Sequence, residues 1–332
     1  MLHLTSPQAI AQPSERIRLH GTTRHPFRSL SLCFSLCLFL VCWFTLGPIG
    51  SADSAQLRIR KELLVQQSDR ALINVRGRVE YVDTISEKGD CGIQASIRVP
   101  EINVAVVGEW INACSTKLEP NEIVALAENG EVPIEGVFRI WFERIGSKDE
   151  VLSEEKELEP YTDANPKHAI EIGPVVLVSQ RQFYDSVRAM EWFDFDVHGP
   201  PALQRLLKRK VTIESYEAED GTPYVSIESG GSLPNHFQLK AVLRSRPTKT
   251  EDGYTAVIDI LDKQKTIVSG IRIFSIGGTK ANDSLKSLKK NAEFSFWGIT
   301  RIDAKKALKA LEDDAGYHIP IPLEFVLLDI HK

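Results

Sequence analysis

The chain lacks the short motifs that announce catalysis. It contains no CxxC, no HExxH, no G-x-S-x-G and no GxxxxGK[ST]. These absences remove dithiol redox centres, zinc-protease helices, serine-hydrolase elbows and phosphate loops from consideration. Gly277-Gly278-Thr279-Lys280 has phosphate-loop residues without the spacing, and reads as the end of a strand. Gly230-Gly231-Ser232 with His236 lacks a strand-to-helix elbow and reads as a turn. The acidic stretch 149–163 (Asp149, Glu150, Glu154, Glu155, Glu157, Glu159, Asp163) lacks the D-x-D-x-D-G spacing that gathers oxygens around calcium, and reads as a solvated loop. Low-complexity tracts are missing too, so a packed core is expected beyond residue 52.

Long apolar runs are equally scarce, with one exception. Leu30–Leu46 reads LSLCFSLCLFLVCWFTL without a charge, behind a head carrying Arg16, Arg18, Arg24 and Arg28. As a helix it would rise about 25 Å, short of a ~30 Å hydrocarbon core. Gly47, Pro48 and Gly50 break it, and Gly50-Ser51-Ala52 offers small residues for cleavage after Ala52. This is an export signal, with an uncleaved N-terminal anchor as the alternative. The protein is expected to be secreted or periplasmic, touching membrane only through residues 30–46 if they stay attached.

Of five cysteines, Cys33, Cys37 and Cys42 lie inside that run. Only Cys91 and Cys114 are left for the folded body, and in an oxidising compartment a lone pair forms one disulfide. Charge is uneven. Asp53–Ala202 holds 16 basic and 27 acidic residues, net −11, whereas Leu203–Lys332 holds 20 and 17, net +3. An acidic front half argues against nucleic acid as a partner, because neutralising phosphates takes a basic surface.

What is present is alternation. Ile73, Val75, Gly77, Val79 and Tyr81 alternate with polar residues, and Ile93–Val99 repeats the pattern. A third strand starts at Ile102, Pro120 opens a short helix, Ile134–Phe142 makes a fourth strand and Ala169–Val178 a fifth. Strand, strand, strand, helix, strand, strand is the order of the five-stranded Greek-key barrel called the OB fold. The order recurs near the C-terminus. Phe237–Arg246, a turn at Asp252-Gly253, Tyr254–Leu261 and Thr266–Ile276 supply three strands. A helix over Ser284–Asn291 capped by Asp283, a strand over Glu293–Ile302, a helix capped by Asp303 and a strand over Leu323–Ile330 complete the series. Between the series, Gln182–Phe193 has helical spacing, Pro200-Pro201 starts a helix, and Val211–Ser229 makes a hairpin through Asp220-Gly221. The fold class is therefore mainly β, with minor α: two tandem OB-like five-stranded barrels joined by a helical and hairpin connector. The expected domains are 1–52 (signal or anchor), 56–181 (first barrel), 182–232 (connector) and 233–332 (second barrel).

The first unit, with its RGRVEYV start, IEGVFRIWF strand and NPKHAIEIGPVV ending, resembles the exported OB-like domains of uncharacterised bacterial proteins over residues 70–180. Such domains commonly close on E-[IL]-H-P-V. Here Glu171-Ile172-Gly173-Pro174-Val175 carries glycine in the histidine position. The resemblance implies a fold and no agreed activity.

Three sets of residues stand out for chemistry. Asp194, Asp196 and His198 alternate in WFDFDVHG, so an extended backbone would aim both carboxylates and the imidazole at one divalent metal. A solvated loop explains them equally, and no other cofactor is expected. Trp141, sharing a face with Arg139, and Trp297 in the matching strand are ligand-face candidates, with packing against the neighbouring unit as the alternative. No catalytic residue emerges. The expected function is a non-enzymatic, exported binding or assembly protein, presenting barrel faces to a peptide, glycan or protein at the cell envelope. The alternatives are a secreted hydrolase acting on an extracellular polymer, and single-stranded nucleic-acid binding.

Overall fold

A computed structural model describes residues 54–85, 91–128, 130–144, 150–189, 197–313 and 318–331. The described chain opens with β1 (Ser54–Arg60) and α1 (Lys61–Gln67). Then come β2 (Leu72–Val82), β3 (Ile93–Val99), β4 (Ile102–Trp110), α2 (Ala113–Thr116), α3 (Pro120–Ala127), β5 (Val132–Arg144), β6 (Glu150–Ser153) and β7 (His168–Val178). A linking stretch holds β8 (Arg181–Gln182), α4 (Pro200–Leu206), β9 (Lys210–Glu217) and β10 (Pro223–Gly230). The second series is β11 (His236–Leu243), β12 (Thr248–Lys249), β13 (Gly253–Asp262), β14 (Lys265–Ile276), α5 (Lys280–Ser287), β15 (Glu293–Ile302), α6 (Ala304–Glu312), β16 (Ile319–Pro320) and β17 (Leu323–His331).

Two closed five-stranded barrels result, as the element order predicts. In the first, β2 pairs with β3 and β5, β3 with β4, and β5 with β7. Parallel pairing of β4 with β7, Val106 opposite Ile170, shuts the ring. The second repeats this pattern through β11, β13, β14, β17 and β15, shut by parallel β14–β17 with Phe274 opposite Val326. Alternation supplies each interior: Ile93, Ala95, Ile97 and Val99 point into one barrel, and Ala256, Ile258 and Ile260 into the other. Gly136 lets β5 turn sharply against β7, since a Cβ there would lie 2.6 Å from Ile172 Cγ2 and 2.8 Å from the Pro174 carbonyl oxygen.

A third sheet, ordered β16–β9–β10–β1–β6, draws on both barrels. Its edge strands come from the β5–β7 and β15–β17 connections, and its inner face is Ala55, Leu57, Ile59, Val211, Ile213, Val225 and Ile227. Alternation along QLRIR was too short to single out β1 in sequence. Its partner in β10 lies more than 160 residues away.

Two local expectations are corrected. The helix after Gly277-Gly278 begins at Lys280, not Ser284, because the Thr279 side chain accepts from the Asn282 amide and caps it there. The described part of 182–193 ends β8 at Gln182 and has no helix beyond a 3-10 turn at Tyr184–Ser186. Its carbonyls are taken from outside: Asn112 Nδ2 donates to Ser186 O (2.9 Å) and Arg188 O (3.2 Å), and the Phe183 amide is tied to Val176 O. Met190–Asp196 lies outside the described residues.

Candidate functional site

The face of an OB barrel that meets ligands is formed by its second and third strands. In the first barrel those are β3 and β4, and the chain itself covers them. The acidic stretch read as a solvated loop is a strap pinned across both strands. Tyr161, 6% exposed, donates its hydroxyl to Ile97 O (3.1 Å) and accepts from the Val106 amide (3.3 Å), standing between the two strands. Arg98 stacks on the Tyr161 ring and donates to the carbonyls of Leu158 and Glu159, each at 3.3 Å. Asn103 donates to the carbonyls of Glu154 and Lys156. Glu154 also accepts from Arg60, through the backbone amide at 2.8 Å and Nε at 3.1 Å.

Of the corresponding face of the second barrel, β13 with β14, the part beside Lys265–Gly270 is open, while Arg272, Phe274 and Ile276 farther along β14 are covered by the first barrel and α6. The β15–β17 connection folds away from it, with α6 packed on α1 and β9. Outward from β13 point Thr255, Val257, Asp259 and Leu261, alternating with the buried Ala256, Ile258 and Ile260. Arg244 Nε meets the Asp259 carboxylate at 2.9 Å, that carboxylate accepts the Gly270 amide, and Lys306 Nζ reaches Gly270 O at 3.3 Å. Thus the residue after β11, together with β13, β14 and α6, forms one chain of polar contacts, a strip interrupted outward by Val257 and Leu261. Exposed Arg244, Arg246, Lys263, Lys265 and Lys306 border it, against Asp259 and Asp262. The large exposed apolar residues among those described, Val65, Tyr81 and Val124, lie elsewhere. The strip therefore offers charge and backbone-directed hydrogen bonds rather than a stacking platform.

The two barrels meet along a seam that joins β5 to β15. Ala71, Leu72, Ile111, Val137, Val176 and Val187 pack there against Phe274, Ile276, Trp297, Ile299, Val326 and Leu328. Two buried arginines cross it. Arg139 pairs with Glu171 and with Asn235 Oδ1, and its Nε donates to Thr300 O at 3.1 Å. Arg301 pairs with Glu324 at 2.6 Å and donates to Ala71 O, Phe138 O and Arg70 O. Burial would raise the Glu171 carboxyl, but Arg139 and His168 outweigh it and hold it at about 2. Glu143 accepts from Asn235 Nδ2 at 2.7 Å. Desolvation first, and the Glu171 charge second, push Glu143 up to about 7; the residue is nevertheless exposed, so water screens part of that rise. His236, wholly buried, is pushed down to about 3 by desolvation and by Arg139, so it stays neutral.

The sequence-derived candidates fall as follows. Cys91 and Cys114 are bonded, with Cα atoms 5.7 Å apart, tying the start of β3 to α2. Arg139 and Trp141 are fully buried and Trp297 is 9% exposed, so these side chains serve packing and the seam rather than a solvent-facing surface. Asp194 and Asp196 lie outside the described residues. The His198 backbone bridges to β11, and its ring packs 5.6 Å from Phe237. Among the described residues no group of three or more His, Cys, Asp or Glu is placed to hold a metal, and no helix is long and apolar enough to cross a membrane. Leu30–Leu46 lies outside them. Sequence reasoning missed the strip around Arg244 because its residues come from four separate segments. The only signal was the net +3 of the C-terminal half.

No family model and no curated protein matches the chain. Among solved structures, a deletion mutant of the single-stranded DNA binding protein from Thermus aquaticus is similar at 9% identity, TM-score 0.20, covering 80% of this chain and 95% of that one. A murine DNA binding protein bound with double-stranded DNA is similar at 8% identity, TM-score 0.22, covering 79% and 100%. At such scores the likeness assigns no ligand to this chain. The expectation that set nucleic acid aside is corrected: the solved structures similar to this chain include DNA-binding proteins. The charge argument behind it also fails, because the net −11 belongs to residues 53–202, of which the stretch 149–163 alone carries −6, and it does not describe the second barrel.

Proposed function

We propose that the protein is a non-enzymatic binding protein that takes single-stranded nucleic acid along the open part of the outer face of β13 and β14. The observation that supports this reading is the unstrapped strip bordered by Arg244, Arg246, Lys263, Lys265 and Lys306. A strand laid along it would place phosphates against these cations, with no side chain positioned to select a base.

Binding of a fluorescent oligothymidylate, followed by anisotropy at rising salt, tests the reading. Each phosphate contact contributes a slope of about −0.7 in log K against log salt, so four contacts weaken binding about 50-fold between 50 and 200 mM. Arg244→Ala and Arg246→Ala should each flatten the slope by about 0.7. Binding that ignores salt, or no binding at low salt, refutes the proposal.

We also propose that the folded body works outside the cytosol. The Cys91–Cys114 bond supports it, because such bonds persist in oxidising compartments. N-terminal sequencing of the mature protein separates cleavage after Ala52 from a retained anchor.

A further inference from the structure

We propose that the outer face of β3 and β4 is a second seat for the same polyanion, occupied in the free protein by the chain's own residues 154–166. The inference rests on the reading of the β13–β14 face, to which this face corresponds in strand order.

Four arginines gather on this side of the first barrel, and each is neutralised from within the chain. Arg60 and Arg58 meet Glu154 and Glu155 of the strap, the first at 3.1 Å and the second at 4.0 Å. Arg78 and Arg98 share Glu80, at 3.0 and 2.8 Å. The strap is gripped largely by its main chain: Arg98 and Asn103 between them bind four of its carbonyl oxygens. A face that holds an extended acidic segment by backbone carbonyls and carboxylates has the contacts a sugar–phosphate backbone needs.

The strap is also not packed flush. A groove open to solvent, with room for about 570 Å³, is lined by strap residues and by Asn103, Val104 and Ala105 of β4. On β3 the Ser96 hydroxyl is buried without a hydrogen-bond partner among the described residues. Tyr161 is the pin, its hydroxyl bonded to both strands. Release of Tyr161 would uncover the β3–β4 face and free Arg98 from the carbonyls of Leu158 and Glu159 to meet a phosphate beside Glu80, while Arg58 and Arg60 stay with Glu155 and Glu154, which β6 holds on β1.

The test counts oligonucleotides per chain by calorimetry at low salt, with an oligothymidylate of about 12 nucleotides, near the span of one OB barrel. The full exported chain is compared with Tyr161→Ala and with Tyr161→Phe, the latter keeping the ring should the alanine variant misfold. One strand bound by the wild type and two by a Tyr161 variant supports the proposal. One strand in all three overturns it and leaves the β13–β14 reading intact. None bound by the wild type and one by a Tyr161 variant supports the strapped face and overturns the open one. No binding by any of the three overturns both.

Discussion

Arg139 donates to the carbonyl oxygen of Thr300, and the residue after Thr300, Arg301, donates to the carbonyl oxygen of the residue before Arg139, Phe138. Each fourth strand thus reaches the other at the matching position. The partners repeat as well: Glu171 stands opposite Arg139 on β7, and Glu324 opposite Arg301 on β17. Phe138 and Thr300 likewise take carbonyl oxygens ahead of β2 and β11, those of Ala71 and Asn235. The barrels are joined as two copies of one unit would be, about an approximate twofold axis.

Breaking one half of the seam should be costly. Arg139→Met leaves Glu171 buried without its cation, and loss of one member of such a pair destabilises by about 3–5 kcal/mol. Arg139→Lys should recover little, since an ammonium cannot reach Glu171, Asn235 and Thr300 O together. Urea denaturation of the folded chain measures both. A loss below about 1 kcal/mol for Arg139→Met would show that the pair contributes little net stability.

The seam should also respond to pH in two opposite directions. The folded value of Glu143, about 7, lies above the ordinary 4.5, so its contribution is complete below pH 4.5 and is lost as pH rises through 7. The folded value of Glu171, about 2, lies below 4.5, so its contribution is present above 4.5 and lost as pH falls through 2. Between pH 4.5 and 6.5 the loss from Glu143 is opposed by His236, whose folded value of about 3 lies below its ordinary 6.5 and so adds stability as pH rises. The difference between wild type and Glu143→Gln, a mimic of the protonated side chain, isolates Glu143: Tm of the variant relative to wild type should rise between pH 4.5 and 7. A difference that stays constant over that range would remove Glu143 as a source of the pH dependence.

The disulfide closes a loop between residues 91 and 114, for which chain entropy gives about 3 kcal/mol. Cys114→Ser should lower unfolding stability by about that amount. Thiol labelling of the denatured protein should find no reactive cysteine at 91 or 114 until reductant is added.

Trp141 is wholly buried, and its indole N–H has no hydrogen-bond partner among the described residues. Trp141→Phe removes an unsatisfied donor while keeping most of the ring, so its cost should stay within about 1.5 kcal/mol. Trp141→Ala, which empties the site, should cost about 3–5 kcal/mol. Equal costs for the two would show that the indole nitrogen is satisfied in solution, for example by a buried water.

Alternation in Ile73–Tyr81, Ile93–Val99 and Phe237–Leu243 was enough to read both barrels, because a period of two turns one face of a strand inward whatever lies beyond it. Cys91 and Cys114 could be paired because no other cysteine follows the apolar run. Local chemistry went no further. Arg139 and Trp141 share an apparently polar face in sequence, yet both are buried, and the burial of Arg139 against the second barrel is a property of the other surface as much as of its own. The acidic strap reads as solvated because its anchors, Arg98 and Asn103, lie some 50–60 residues earlier. Strand periodicity is written residue by residue and survives in a bare sequence. Which outer face is covered, which is left to solvent and which charges meet there depends on contacts between distant segments, and only the closed and paired barrels decide them.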